Sequence, residues 1–189
     1  MIPFPKKKYK IIYADPPWPY NDKLKHGYGG AETHYKTLTP NEINSLPISK
    51  ISSDDSWLFL WATWPNIETA LQVIKAWGFD YKTVGFVWVK TYSNGKYHLG
   101  LGQYTRGNTE FCLLSRKGKP QRINKNISQL IFTPLKEHSK KPNIVRSKIL
   151  QLVGDLPRIE LFARTKIHGW DVWGNDPKLE LQPLEAFSN

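Results

Sequence analysis

The four residues Asp15-Pro16-Pro17-Trp18 concentrate groups that could do chemistry. They follow the apolar run Ile11-Ile12-Tyr13-Ala14, which reads as a buried strand. Two consecutive prolines cannot continue a central strand. Asp15 is therefore predicted at the strand's carboxyl end, where open α/β sheets hold their ligands. The prolines remove two backbone donors and stiffen the chain, while the carbonyls of Ala14 and Pro16 stay available as acceptors. Asp15 adds a charged acceptor and Trp18 a broad ring face. Together these suit a planar heteroaromatic ring bearing an exocyclic amine, with acceptors for its two N–H bonds and a surface to stack on. Such an amine is a poor nucleophile because its lone pair is conjugated into the ring. Acceptors on both N–H bonds favour positive charge developing on nitrogen and a lone pair free to attack an activated methyl group. No covalent enzyme intermediate is required. The spacing is equally compatible with a simple proline turn, its Trp buried and its Asp in solvent.

The surrounding sequence supplies elements that could position this tetrapeptide. Thr39-Pro40-Asn41-Glu42 is a helix start, with Thr as N-cap and Glu closing a capping box. Trp57–Trp61 is a continuous apolar strand. A helix opens at Pro65 with an apolar face of Ile67, Ala70, Leu71, Ile74 and Trp77, and ends at Gly78. Strands are predicted at Thr83–Val89, Glu110–Leu114 and Gln129–Phe132. Pro142 opens a helix with Val145, Ile149 and Leu152 on one face and Gly154 near its end. Pro157 precedes a strand, Ile159–Ala163, and Asp171–Gly174 is a last strand or turn. Long Gly-containing loops are expected near 19–36 and 91–108. The fold class that follows is α/β with a mostly parallel sheet. It is read as one domain over residues 1–177, with 178–189 as a peripheral tail.

Charge is unevenly distributed over the 189 residues, whose net charge is +11. Residues 81–148 hold fourteen Lys or Arg against two acids, whereas the first sixty residues hold eight bases and six acids. A basic half with interleaved Tyr, Trp and Asn suits a polyanion, and nucleic acid is preferred over a merely solubilising face. No segment has the basic amphipathic pattern of a membrane-surface helix, and no run nears the roughly 18 apolar residues of a membrane span. The amino terminus lacks the apolar segment of a signal peptide. One cysteine, Cys112, allows no intrachain disulfide and no all-cysteine zinc site. His26 and His34 have no partners at metal spacing, so no metal is predicted. A reducing, cytoplasmic setting follows. Of the eight tryptophans, Trp170 and Trp173 are read as core, while Trp18 stands apart among loop residues.

In order along the chain, Ala14–Trp18, Trp57–Trp61, Phe86–Lys90, Glu110–Cys112, His138–Pro142, Glu160–Arg164 and Gly169–Asn175 resemble the MT-A70 family. These are the adenine-N6 methyltransferases, and the likeness is to their small bacterial or phage form, over roughly residues 8–177. The resemblance implies a Rossmann-like S-adenosylmethionine-dependent methyltransferase fold in permuted order, the catalytic motif early and a cofactor-binding part late. The absence of an early Gly-x-Gly-x-x-Gly agrees with that order and argues against a nicotinamide dinucleotide enzyme. The implied catalytic residues are Asp15, Pro16, Pro17 and Trp18, with Asp15 and the Pro16 carbonyl gripping the target amine. The implied cofactor is S-adenosylmethionine, held by Asp15, Lys141, Phe162, Arg164 and Asn175. Lys141 is assigned to its carboxylate, and Phe162 and Arg164 to its adenosine, from alternate positions of one strand if the strand reaches that far. Glu110 matches a family acid that can pair with the lysine, gate the pocket or bond the substrate. Tyr20 is a further candidate for the base pocket. Candidates for phosphate contact are Lys23, Lys25, Lys96, Arg106, Arg116, Lys117, Lys119, Arg122 and Lys125. The implied reaction is methyl transfer to adenine N6 in nucleic acid, with DNA preferred by analogy. RNA, cytosine N4 and a non-catalytic nucleic-acid-binding regulator are the alternatives. A monomer is compatible with the sequence, and no membrane partner is expected.

Overall fold

In the computed structural model the described residues are 4–19, 37–100, 102, 104–135 and 140–174, with the backbone alone of 181–182. The first strand, β1 (Tyr9–Ala14), is apolar on both faces and lies in the interior of a seven-stranded sheet. The other strands of that sheet are β2 (Ser52–Ala62), β3 (Asp80–Thr91), β4 (Thr109–Lys117), β5 (Leu130–Pro134), β6 (Arg158–Leu161) and β8 (Asp171–Trp173). Their spatial order is β5-β3-β4-β2-β1-β6-β8, and β4 alone runs against the rest. The mostly parallel α/β architecture expected from the sequence is therefore present. A separate short pair joins β7 (Lys166–Ile167) to β9 (Leu181–Gln182).

Helices cover both faces. On one side lie α1 (Pro40–Asn44), α2 (Ile48–Ile51) and α3 (Ile67–Ala76), whose Ile43, Ile48, Val73 and Ile74 pack with Ile12, Leu58 and Leu60 of the sheet. On the other lies α4 (Ile144–Val153), whose Val145, Ile149 and Val153 pack with Ile11, Tyr13, Phe59 and Phe86. Strand alternation divides the two sets, so each face has its own core. The predicted capping box is formed: the Glu42 N–H donates to Thr39 Oγ at 3.2 Å and the Thr39 N–H donates to Glu42 Oε2 at 2.7 Å. Gly78 ends the α3 segment with φ +81°, a left-handed conformation that side chains resist.

Four expectations are corrected. Leu71 is 38% exposed, and Val73 takes its place on the buried face of α3. Leu152 does pack against the core beside Val145 and Ile149, but only half-buried, and the fully buried Val153 completes that face of α4. Trp18 is not a loop tryptophan with a free face: it is 6% exposed, packs in the core with α1–α3, and donates its indole N–H to the Trp61 carbonyl at 2.9 Å. The strand expected over Ile159–Ala163 stops at Leu161, because Phe162 turns the chain with φ +61°. Trp170 and Trp173 are core, as expected.

The connections set a switch point. From β1 the chain crosses to β2 on one side, and β6 pairs with β1 on the other. Ligands of such sheets sit in the crevice at the carboxyl ends beside this point, and Asp15 is the residue immediately past it. The revised face of α3 is testable by urea denaturation. Ile74→Ala should cost about 2–5 kcal/mol, whereas Leu71→Ala should cost well under about 1 kcal/mol. Equal losses would contradict the packing described.

Candidate active site

Beyond Ala14 the prolines leave the ladder, and the short turn they form is closed by the Trp18 N–H donating to the Pro16 carbonyl at 2.8 Å. The Pro16 carbonyl is therefore already engaged once, and one lone pair stays available. The chain leaves at Pro19 and is back by Leu38, whose N–H donates to the Pro17 carbonyl at 3.0 Å. With Trp18 anchored beneath, Asp15 is fixed at both ends of its turn. The expected alternatives each fit in part: the Trp is buried, but the Asp faces the protein's own cations rather than solvent.

Lys141 supplies the nearer cation. Its Nζ lies 2.9 Å from each Asp15 carboxylate oxygen and 3.2 Å from Glu110 Oε2. Glu110, the second residue of β4, also accepts at Oε1 from Lys90 Nζ at 2.5 Å. Four charges thus alternate in sign across the carboxyl end of the sheet: Asp15, Lys141, Glu110, Lys90. Trp61 and Trp88 floor this row, with Lys141 Nζ 5.7 Å and Lys90 Nζ 5.2 Å from their ring centres. Burial pushes the Asp15 carboxyl above its ordinary range, and Glu110 adds to that shift while Lys141 opposes it. Burial would also raise Glu110, but Lys141 and Lys90 together outweigh it and hold Glu110 below its ordinary value. Burial works against the Lys141 ammonium, yet Asp15 and Glu110 more than compensate and hold it charged.

A second ion pair lies deeper. Arg146 of α4 donates to both Glu160 carboxylate oxygens, at 2.6 and 2.5 Å, and to Asn143 Oδ1 at 3.1 Å. Its guanidinium lies 5.5 Å from the Tyr13 ring centre, and the Tyr13 hydroxyl accepts the Trp61 indole N–H at 2.6 Å. Two-point pairing of a buried arginine with a carboxylate fixes both partners in one geometry. This ties α4 to β6 at the base of a narrow cleft that opens to solvent. Asp15, Lys141, Asn143, Phe162 and Arg164 line its walls.

Phe162 reaches that wall through its left-handed turn rather than as an alternate strand position. Its ring meets Trp173 edge-on at 5.6 Å. Gly174 makes the turn possible: a Cβ there would fall 2.7 Å from the Ala163 carbonyl oxygen. A non-glycine residue at positive φ is sparsely populated and tends to mark a functional position.

Of the residues predicted for the site, Asp15, Glu110, Lys141, Phe162 and Arg164 converge here. Arg106 lies in the β3–β4 connection on the same side, exposed, with its guanidinium on the Leu99 carbonyl at 3.2 Å. Lys96 is exposed in that connection too. Arg116, Lys117, Lys119, Arg122 and Lys125 do not join them. β4 is antiparallel, so Arg116 and Lys117 end it at the opposite edge of the sheet, level with Ser56 and Asp80. Tyr20, Lys23, Lys25, His26, His34, His138 and Asn175 lie outside the described residues. Lys90, Tyr13 and Arg146 were not anticipated as parts of the site. The signals were there: Lys90 ends an apolar strand, and Arg146 interrupts the apolar face of α4 at helical spacing from Ile149 and Val153. Among the described residues no group of three His, Cys, Asp or Glu could hold a metal ion, and no helix is long and apolar enough to cross a membrane.

The chemistry of the walls fits an amino-acid-bearing nucleoside. Lys141 and Arg164 can meet a carboxylate, Asp15 and the Asn143 amide can accept from an ammonium, and Phe162 offers a ring edge or face. The pairings give a titration with a definite sign. Followed by carboxyl NMR, Asp15 should protonate above the ordinary aspartate value of about 3.9. Removing the neighbouring like charge in Glu110→Gln should move that midpoint down. An upward movement, or a wild-type midpoint at or below the ordinary value, would contradict the charge row.

Comparison with known proteins agrees with this geometry. Residues 9–176 match the MT-A70 family. The Type II methyltransferase M.MunI of a Mycoplasma species is 38% identical over 94% of this chain and 82% of its own length. The N(6)-adenosine-methyltransferase subunit METTL3 of Danio rerio is 32% identical over 83% of this chain and 26% of its own length. The METTL3 catalytic subunit of Homo sapiens is 31% identical over the same 83% and 26%. The chain therefore spans about a quarter of the length of the METTL3 relatives but most of M.MunI.

Proposed function

The chain belongs to the MT-A70 family, and from that premise we propose that it transfers a methyl group from S-adenosylmethionine to the exocyclic N6 of adenine in DNA. The observation that carries this reading is the Asp15–Lys141 pair at the mouth of the cleft, directly past the strand that ends in Asp-Pro-Pro-Trp. DNA is preferred to RNA because the match to the Type II methyltransferase runs over most of both chains, whereas the N(6)-adenosine-methyltransferases are matched over a quarter of theirs. We read the sheet as the Rossmann-like methyltransferase fold in permuted order, with the catalytic strand β1 first and the cofactor strand β6 late.

When bound, S-adenosylmethionine supplies an activated methyl group. The chain's own residues orient the two reactants. Lys141, Arg164 and Asn143 would hold the amino-acid and ribose portions of the cofactor, and Phe162 would pack against its adenine, with Asn175 assigned to the same region. Each Asp15 oxygen keeps a lone pair beyond its contact with Lys141, and the Pro16 carbonyl keeps one beyond Trp18. These two acceptors would take the two N–H bonds of the target amine and favour charge developing on its nitrogen. Pro17 shapes the turn. Trp18 acts from below, as the anchor of that turn, and Tyr20 is the remaining candidate for the base wall. Glu110, gripped by Lys90, fixes the position of Lys141. Orientation of this kind removes entropy from the barrier before reaction.

The test is transfer of a labelled methyl group to matched double-stranded DNA, single-stranded DNA and RNA, followed by nucleoside mass analysis. Label should appear in N6-methyladenine in DNA, and Asp15→Ala should lower turnover by on the order of a hundredfold or more. Lys141→Ala should weaken cofactor binding by roughly thirtyfold or more, as expected when one partner of a buried charge pair is removed. Label confined to RNA would reassign the substrate, and label in N4-methylcytosine the base. A folded protein that binds nucleic acid but no S-adenosylmethionine would overturn the enzyme reading.

A further inference from the structure

The edge of the sheet away from the cleft carries its own concentration of positive charge. Along β4, Arg116 lies six positions beyond Glu110, which is at the cleft, and at about 3.3 Å per position that is roughly 20 Å. From Ser115 to Gln129 the chain has five basic residues and no acid. The connection after β4 stays at this pole, because the Ile123 N–H donates to the Leu152 carbonyl at 2.9 Å in the last turn of α4. Lys119, Arg122 and Lys125 project from it and are exposed.

Carboxylates are present at this pole, and most are engaged. Asp55 accepts the Lys119 backbone N–H at 2.6 Å, Asp155 pairs with Arg158, and Asp80 lies 3.9 Å from Lys82. Asp54 is exposed beside them. Arg116, Arg122 and Lys125 make no ion pair among the described residues. Arg116 is the informative one. It is half-buried, directly across from Trp57 in the β2–β4 ladder, and its Nε is buried without a hydrogen-bond partner among the described residues. That one N–H is withdrawn from water with no acceptor in exchange, on a side chain that is still partly exposed.

We propose that Arg116, Lys119, Arg122 and Lys125 form a second contact surface for the phosphate backbone of the nucleic acid that enters the cleft. The inference rests on the nucleic-acid reading above and adds a place and a reach to it. Roughly 20 Å corresponds to about six nucleotides at 3.4 Å each. The substrate is therefore held both at the target base and about half a helical turn or more away. These contacts read no sequence; they position the strand and set its affinity.

The experiment measures binding of a random-sequence DNA duplex of about 30 base pairs against salt concentration, each phosphate contact contributing about 0.9 to the slope of log K against log salt. The variant K119Q/R122Q/K125Q is compared with K6Q/K50Q/K75Q, which removes equal charge from exposed positions at the same edge of the sheet but outside this loop, beside the starts of β1, β2 and β3. The loop variant should flatten the slope by about 2.7 and the control should leave it near wild type. In methyl transfer to genomic DNA the loop variant should raise KM and leave kcat unchanged. D15N should keep the wild-type salt slope, because its defect lies at the other pole. Equal slopes for the loop variant and wild type, or equal flattening in both triple variants, would remove this surface while leaving methyl transfer untouched. A slope flattened in the loop variant alone, with no methyl transfer by the unaltered protein, would have the opposite meaning: the second surface stands and the enzymatic reading fails.

Discussion

One ammonium held between two carboxylates organises this protein. Lys141 sits against Asp15 and Glu110 at the carboxyl end of the sheet, with Lys90 closing the row. Removing charges from water is expensive, and their mutual attraction offsets that cost only when geometry is good and each charge has a partner. The alternating row meets that condition. It also constrains three separate parts of the chain at once: the end of β1, the β3–β4 ladder and the start of α4. Losing one member leaves the others buried and mismatched.

The layers beneath hold this row in place. The Arg146–Glu160 pair joins α4 to β6, and the Trp61 indole bonds the Tyr13 hydroxyl. Trp18, sunk into the opposite core, anchors the Asp-Pro-Pro turn from the other face of the sheet. The cleft is thus bounded by rigid elements rather than by loops alone, which suits a reaction whose main requirement is that two bound molecules meet in one orientation. The left-handed Phe162 and the close approach of Gly174 to Ala163 shape its remaining wall.

The antiparallel β4 gives the molecule two electrostatic poles. Its first residues contribute Glu110 to the charge row, and its last contribute Arg116 and Lys117 to the far edge. A polyanion long enough to span the sheet meets positive charge at both ends, and its approach is steered over a wider surface than the cleft itself presents.

Much of this was legible in the sequence because it depends on local rules. Two prolines after an apolar run must end a strand, Thr39 with Glu42 must cap a helix, and Gly78 supplies a turn that other residues resist. Those rules place Asp15 at a strand end, and the family motifs single out Lys141 and Glu110. The tertiary structure decided everything that depends on which strands are neighbours and which way they run. Lys141 meets Asp15 across 126 positions of chain. Lys90 becomes part of the site only because β3 and β4 pair in this register. Trp18 turns inward because the core has room for its ring and the Trp61 carbonyl for its N–H. The basic run from Arg116 to Lys125 leaves the site because β4 is antiparallel. Hydrophobic periodicity records which residues are buried and leaves strand direction unspecified, so charges adjacent in sequence were resolved to opposite poles only by the folded sheet.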